Sequence, residues 1–333
     1  MPTPLLECVP NFSEGRDLEV IEAITDSIRN VAGVQLLHID IGAAANRTVM
    51  TFAGNPQAVL EAAFRAIQTA QQHIDMRAHQ GEHPRIGATD VCPLVPISGM
   101  TLAEVVVLAQ QLGKQVGDEL DIPVFLYEAA ATHPTRQNLA TIRKGEYEGL
   151  ADKLQDDDWQ PDFGTVTSFA KSGATVIGAR PFLLAYNINL ATKDVHIAKA
   201  IAATIRESGK VMVENRARKR QPGLFQKVKA IGWYIKDFDR VQISMNLTDF
   251  RTTNLHEVYE ACCRLAKEYE TEVTGSELIG LVPLEAMLLT GQFYAPGEKD
   301  ERNLVETAIE RLHLREVDDF EAQKRVIEYV YQS

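Results

Sequence analysis

Apolar residues recur along this chain in two rhythms, near 3.6 residues and near two, and the alternation of the two predicts strands interleaved with helices. Leu5–Pro10 reads as a first strand, followed by a tight polar loop at Asn11–Gly15. Asp17 caps a helix whose apolar stripe is Leu18, Ile21, Ile24 and Ile28, and Gly33 ends it. Val34–Asp40 and Arg47–Phe52 read as strands on either side of a small-residue turn at Gly42–Asn46. Asn55-Pro56 opens a helix, with proline at its first position, whose inner face is Leu60, Ala63, Phe64 and Ile67. Val91–Val95 is a strand, Leu102–Gly117 a helix and Pro123–Tyr127 another strand; helical residues Tyr147, Leu150 and Leu154 then lead to an acidic run at Asp156–Asp158.

The second half echoes the first. The helical face Leu102, Val105, Val106, Ala109, Leu112 and Val116, moved on by 153 positions, falls on Leu255, Val258, Tyr259, Cys262, Leu265 and Tyr269, and Cys92 and Leu94 before it fall on Met245 and Leu247. This register points to an internal duplication. Phe182–Asn189 takes the role of Val34–Asp40, Thr192–Ile205 is a helix closed by Gly209, and Asn303–Leu312 and Phe320–Tyr331 read as closing helices. Strands alternating with helices in this order give an α+β fold, with subdomain boundaries expected at residues 1–179 and 180–333. Trp233 and Tyr234 are expected in the core.

Composition narrows the class. Of 333 residues, 45% are apolar and 24% charged, enough for a soluble core. The net charge of −12 argues against a general nucleic-acid or membrane-surface binder. The four cysteines, Cys8, Cys92, Cys262 and Cys263, have no zinc-ribbon spacing; the N-terminus has no secretory pattern and no run is long enough to span a membrane, so reduced thiols and a cytoplasmic location are expected. One local patch runs against the global sign: Lys210, Arg216, Arg218, Lys219, Arg220, Lys227 and Lys229 face a single Glu214, and read either as a solvated basic loop or as a steering surface for an anion.

The densest chemistry lies in His79–Pro93, HQGEHPRIGATDVCP. His79-Gln80-Gly81-Glu82-His83 matches the H-x-x-E-H zinc motif, which needs a helix to aim both imidazoles at one ion. Gly81 within it and Pro84 after it disfavour that helix, so a zinc hydrolase on His79, Glu82 and His83 is only the alternative reading, and no metal is expected. His83, between Glu82 and Arg85, suits proton transfer. Asp40, at a strand end on the same face as His38, is a candidate to orient a partner or hold a substrate amine; the other reading is a turn cap. Asn11, Ser13 and Gly15 form a loop opening a helix, whose free amides suit a carboxylate, and Arg47 could fork onto one as well.

Seven stretches carry a resemblance. GEHPRIGATDVCP (81–93), ECVPNFSEGRD (7–17), IDIGAAANRTVMTFAG (39–54), QPDFG (160–164), GATVIGARPFLLAYNINL (173–190), QPGLFQKVKAIGWY (221–234) and LIGLVPLEAML (278–288) are together similar, in one order, to the glutamate formiminotransferase family. The resemblance implies two ferredoxin-like subdomains with the active site between them. It implies transfer of the formimino group of N-formimino-L-glutamate to N5 of tetrahydrofolate, the co-substrate, in histidine breakdown. It stops before any cyclodeaminase domain and so implies the free-standing transferase. His83 becomes the catalytic base and Asp40 its companion, with Asn11 and Arg47 on the substrate. Folate is expected at Gly164, Thr165, Val166, Thr167, Ser168, Phe169, Ala170, Lys171, Ser172 and Gly173 and at Arg180, although TVTSFAKS between the two glycines departs from the animal sequences. Small molecules are the expected partners, with neither nucleic acid nor membrane, and a homodimer is the expected assembly. A folate-binding protein acting on 5-formyltetrahydrofolate is a further alternative.

Overall fold

The computed structural model describes residues 3–332 except 44, 82, 215–216, 236–238 and 317–318. The chain divides into two compact units, Met1–Pro181 and Phe182–Ser333.

The first unit runs β1 (Leu5–Cys8), β2 (Asn11–Phe12), α1 (Leu18–Arg29), β3 (Val34–Gly42), β4 (Arg47–Gly54), α2 (Pro56–His73), β5 (Thr89–Ser98), α3 (Leu102–Leu120), β6 (Val124–Glu128), three short helices α4 (Leu139–Arg143), α5 (Leu150–Lys153) and α6 (Phe169–Ser172), and β7 (Thr175–Ala179). Its long helices begin where local chemistry starts them. Asp17 Oδ1 accepts from the amides of Glu19 and Val20, Asn55 caps α2 with Pro56 behind it, and Thr101 and Glu104 form a reciprocal capping box. The strands form one mixed sheet: β3 pairs β4, β4 pairs β1, and β1 pairs β5, all antiparallel, with β2 inserted between β4 and β5; β7 and then β6 continue in parallel.

The two faces of this sheet differ. On one, Ile24 and Ile28 of α1, Phe64 and Ile67 of α2, and Leu112 and Val116 of α3 pack on Leu6, Met50, Phe52 and Leu94. Each such side chain contributes about 1.5–3 kcal/mol by leaving water. On the other, Val91, Phe125 and Val176 are covered by Ile142, Leu150 and Leu154. A bulge between Leu36 and His38 shifts the alternation of β3, so Leu36 and Ile39 both pack against the helical core. His38 and Asp40 are left exposed. Leu18, expected in the stripe of α1, lies at the helix's first turn and is 66% exposed.

The second unit runs β8 (Leu184–Leu190), α7 (Val195–Ile205), β9 (Lys210–Glu214), β10 (Ala217–Gln221), β11 (Val228–Ile235), β12 (Arg240–Leu247), α8 (Leu255–Glu268), β13 (Val273–Ile279), α9 (Leu284–Tyr294), α10 (Glu301–Arg311), α11 (Ala322–Arg325) and α12 (Ile327–Gln332). Its main sheet is antiparallel in the order β11-β12-β8-β13. Strand for strand this repeats β3-β4-β1-β5, with α7 and α8 in the places of α1 and α2. The duplication is therefore present in another register than the 153-residue shift. The counterpart of α8 is α2, which follows the third strand of its set, whereas α3 follows the fourth; β8 answers to β1, not β3. Any two helices that bury one face share a 3.6 period, so periodicity could not separate α2 from α3.

Three further expectations change. Residues 210–221 are not a loop but an antiparallel hairpin of β9 and β10, register Gln221 to Lys210 through Ala217 to Glu214, and Arg216 lies outside the described residues. Trp233 and Tyr234 are 45% and 44% exposed: Trp233 alternates onto the outer face of β11 with Lys229 and Ile231, and Tyr234 lies at the strand's end, past its last buried position. Tyr269 falls just past α8 and is 43% exposed. No helix among the described residues is long and apolar enough to cross a membrane.

Candidate active site

His83 lies in the irregular segment between α2 and β5, half-buried. Its Nε2 contacts Nη1 of Arg47, and its Nδ1 is 2.8 Å from the carbonyl oxygen of Pro84. A guanidinium only donates, so Nε2 accepts and Nδ1 carries the proton that Pro84 O receives. His83 is thus a neutral imidazole with its basic lone pair on Nε2. Burial lowers its pKa below the ordinary value, and the charges of Arg47 and Arg143 lower it further, outweighing the Pro84 hydrogen bond and Asp90.

Arg47 starts β4 and Asp40 sits near the end of β3. Asp40 pairs with Val49 and Gly42 with Arg47, which sets Asp40 and Arg47 on one face as diagonal neighbours. Asp40 is exposed on that face. Burial, and then Arg143, lower the pKa of Arg47; Asp90 and Asp40 oppose them.

His79 plays another part. Its Nε2 donates to the carbonyl oxygen of Asn46 at 3.0 Å and its Nδ1 accepts from Nε of Arg85 at 3.1 Å. Both ring nitrogens are spent, and His79 is 9% exposed. The segment is not helical at His79 and Gln80, and Glu82 lies outside the described residues. The zinc motif thus lacks both the helix and a free nitrogen on its first histidine. Asn46, left-handed at φ 49°, joins three segments: its Oδ1 accepts from Gly15 N, its Nδ2 donates to Gln80 O, and its carbonyl takes the His79 proton. Arg85 Nη1 donates to Glu146 and Glu148 at 3.0 and 2.8 Å, and Nη2 to Glu148 and to His79 O at 2.7 and 3.1 Å. A cavity of about 490 Å³ lies over this network, lined by Gln80, Gly81, Arg85, Gly145, Glu146 and Glu148.

The loop after β2 differs from expectation. The amides of Gly15, Arg16 and Asp17 all bond to Oε1 of Glu14, at 2.9, 2.8 and 2.9 Å, so the chain's own carboxylate fills the place foreseen for a ligand's. Asn11 is a buried strand residue whose Nδ2 donates to Val9 O at 2.9 Å, and Ser13 Oγ donates to Gly87 O at 2.7 Å.

Gly164–Gly173 reaches across the unit. Thr165 Oγ1 bonds Asp121 Oδ1 at 2.8 Å, and Ser168 Oγ donates to Asp121 O, just past α3. Thr165, Val166, Thr167, Ala170 and Lys171 are exposed, Phe169 is half-buried and Ser172 buried. The segment's end meets the histidine loop: Gly173 bridges Gly87, Ala88 N donates to Ser172 O at 2.7 Å, and Met76 N to Lys171 O at 2.8 Å. A Cβ on Gly173, where φ is 70°, would come within 2.2 Å of Ile86 O, so only glycine fits there. Arg180 follows β7, half-buried, with Nη1 on Pro181 O at 3.1 Å.

Sequence reasoning passed over Asp90 and Arg143. Arg143 Nη2 donates to Asp90 Oδ2, and Asp90 Oδ1 accepts from Ile86 N at 3.0 Å. Asp90 is 1% exposed. Asp90 is the second residue of β5, and it is its burial, which the sequence does not show, that makes its carboxylate need a partner.

Residues 5–180 match the formiminotransferase domain, N-terminal subdomain, and residues 185–332 match the formiminotransferase domain. The chain belongs to the formiminotransferase family. A glutamate formimidoyltransferase of Thermoplasma acidophilum is 42% identical over 310 residues, which cover 92% of this chain and 98% of that one. Its counterpart in Streptococcus pyogenes is 39% identical over 324 residues, 97% of each chain. The formimidoyltransferase-cyclodeaminase of Rattus norvegicus is 47% identical over 331 residues, covering 98% of this chain. The chain spans about 60% of the length of the cyclodeaminase-bearing relatives it matches.

Proposed function

We propose that this chain is a glutamate formimidoyltransferase, moving the formimino group of N-formimino-L-glutamate to N5 of tetrahydrofolate and leaving L-glutamate. The observation that carries the reading is the neutral His83, its Nε2 lone pair held by Arg47, in a chain of this family. As the secondary amine bonds to the amidine carbon, Nε2 takes the proton that nitrogen loses. The imidazolium returns it to the departing glutamate nitrogen as the old C–N bond breaks, so the proton count closes. Base catalysis of this kind is worth about 10²–10⁴-fold. Exposed Asp40 suits the cationic amidinium of the donor, and Arg47 one of its carboxylates. Asn11 gives one amide N–H to Val9 O and has its second N–H and its Oδ1 to offer the substrate.

Folate would lie against residues 164–173 and Arg180, entering the chemistry where Gly173 meets Gly87. The reading includes two ferredoxin-like subdomains, 1–179 and 180–333, a site that draws on both, a homodimer, a cytoplasmic setting and no metal. The βαββαβ strand order of each sheet supports the ferredoxin-like part. A coupled assay for L-glutamate released from formiminoglutamate, with and without tetrahydrofolate, tests the activity. Folate-dependent release is expected; release without folate would indicate a hydrolase. Residues 1–181 alone should show no transfer, and turnover there would restrict the site to the first unit.

A further inference from the structure

Two arginines stand beside His83, and each carries a donor without a partner among the described residues. Nε of Arg47 and Nε of Arg143 are both buried, with no hydrogen-bond partner among the described residues. A buried N–H left unmade costs about 1–3 kcal/mol, so native proteins seldom keep one without a use. The two cations also act on each other and on the histidine. Arg143 disfavours the charge on Arg47, and both disfavour a proton on His83. One buried carboxylate, Asp90, offsets them; the other acid acting on Arg47, Asp40, is exposed.

Asp90 fixes where Arg143 stands. One of its oxygens takes Arg143 Nη2 and the other the amide of Ile86, three residues past His83, so Arg143 is tied to the loop that carries the base. Its side chain is 15% exposed. Two like charges kept together at the edge of water, each with spare N–H groups, make a site for an anion of planar, forked shape. The proposed donor supplies one: it has an amidinium, suited to Asp40, and carboxylates on the same small skeleton.

Resting on the transferase reading above, we propose that Arg143, held by Asp90, is a positioning residue that with Arg47 clamps a carboxylate of the formimino donor beside His83. Engaging the carboxylate draws Arg47 Nη1 away from His83 Nε2. The basic lone pair is then uncovered only when the donor is in place.

The test varies formiminoglutamate and tetrahydrofolate separately in wild type, Arg143→Gln and Arg143→Lys, and titrates L-glutamate into each by calorimetry. Arg143→Gln should raise KM for formiminoglutamate about 10–100-fold, the loss expected of a charged hydrogen bond, and leave KM for tetrahydrofolate within about 2-fold. The acid limb of kcat/KM should move to higher pH, because a cation near His83 is gone. Arg143→Lys keeps the charge without the fork and should recover the pH limb but only part of the affinity. A purely structural Arg143 would instead weaken both substrates alike and leave the limb in place, which would overturn the proposal. So would a donor KM within 2-fold of wild type in an active enzyme. Absence of transfer by wild type would refute the transferase reading; in that case L-glutamate binding that weakens in Arg143→Gln still upholds the clamp, and equal binding refutes it. If Arg143→Gln does not fold, Arg143→Lys carries the same comparison.

Discussion

Arg85→Met should cost far more stability than the loss of either acid that Arg85 touches, and the structure says why. The Arg85 side chain is 7% exposed, while its partners Glu146 and Glu148 are 41% and 64% exposed. Removing one member of a buried pair costs about 3–5 kcal/mol when the other charge is stranded. Here both glutamates regain water, so that part of the penalty shrinks toward the roughly 0–1 kcal/mol of an exposed ion pair. The remaining loss falls on His79, which is 9% exposed and whose Nδ1 and carbonyl oxygen both accept from Arg85. Two buried acceptors left bare cost about 1–3 kcal/mol each, partly relieved by rearrangement. We therefore expect a net loss of about 3 kcal/mol, or about 6–12 °C in the melting temperature of a unit this size. Trp159 lies in the first unit, edge-on to Phe125 at 6.1 Å between ring centres, so its fluorescence reports that unit's unfolding. Urea titrations of Arg85→Met and Glu148→Gln decide the matter. Glu148→Gln should stay within about 1 kcal/mol of wild type. Equal costs for the two variants, or a loss below about 1 kcal/mol for Arg85→Met, would mean that the exposed ion pair, and not the satisfaction of His79, is what matters.

His83→Ala should lower kcat by about 10²–10⁴-fold and leave tetrahydrofolate binding intact, since it removes proton transfer and little contact area; a kcat near wild type would take His83 out of the mechanism. His79→Ala should show mainly in stability, because it frees Asn46 O and Arg85 Nε, and a kcat loss as large as that of His83→Ala in a well-folded variant would revive the paired-ligand reading. Burial is the leading cause that lowers the pKa of His79, His83 and His256 in the folded chain. Protons then bind the unfolded chain more readily, so this contribution to stability is whole above about pH 6.5 and is lost as pH falls through the lowered folded values. Urea midpoints should accordingly drop between pH 7.5 and 5.5, and drop less in His83→Gln; an unchanged or rising midpoint would contradict the assignment.

Much of this was legible in the sequence where the chemistry is local. Asp17 and Asn55 cap the helices they precede, as read, because a cap needs only the next three residues. Gly81 and Pro84 told against the zinc helix for the same reason. What failed to show were contacts across distance. Arg143 and Asp90 are 53 residues apart, and nothing in the five-residue helix that ends at Arg143 marks it as part of a site. The amides of the Asn11–Gly15 loop read as free for a ligand's carboxylate; only the turn of the backbone shows three amides aimed at the side chain of Glu14.

The duplication carries the sharper lesson. Its true register is written in strand pairing: β1 lies between β4 and β5 as β8 lies between β12 and β13. Pairing is non-local, and β6 and β7 extend the first sheet with no counterpart among the described residues of the second. A fixed offset therefore slid α8 onto α3, the helix after the fourth strand, instead of onto α2. The extension has a consequence for chemistry. The excursion between β6 and β7 carries Arg143, Glu146, Glu148 and residues 164–173. Among the described residues the second sheet ends at β13 with no further strands, so these partners of the histidine loop have no equivalent there. On that argument Arg143 and residues 164–173 stand where the first sheet grew beyond the repeat, whereas His83, between α2 and β5, and Arg47, at the start of β4, stand within the repeat itself.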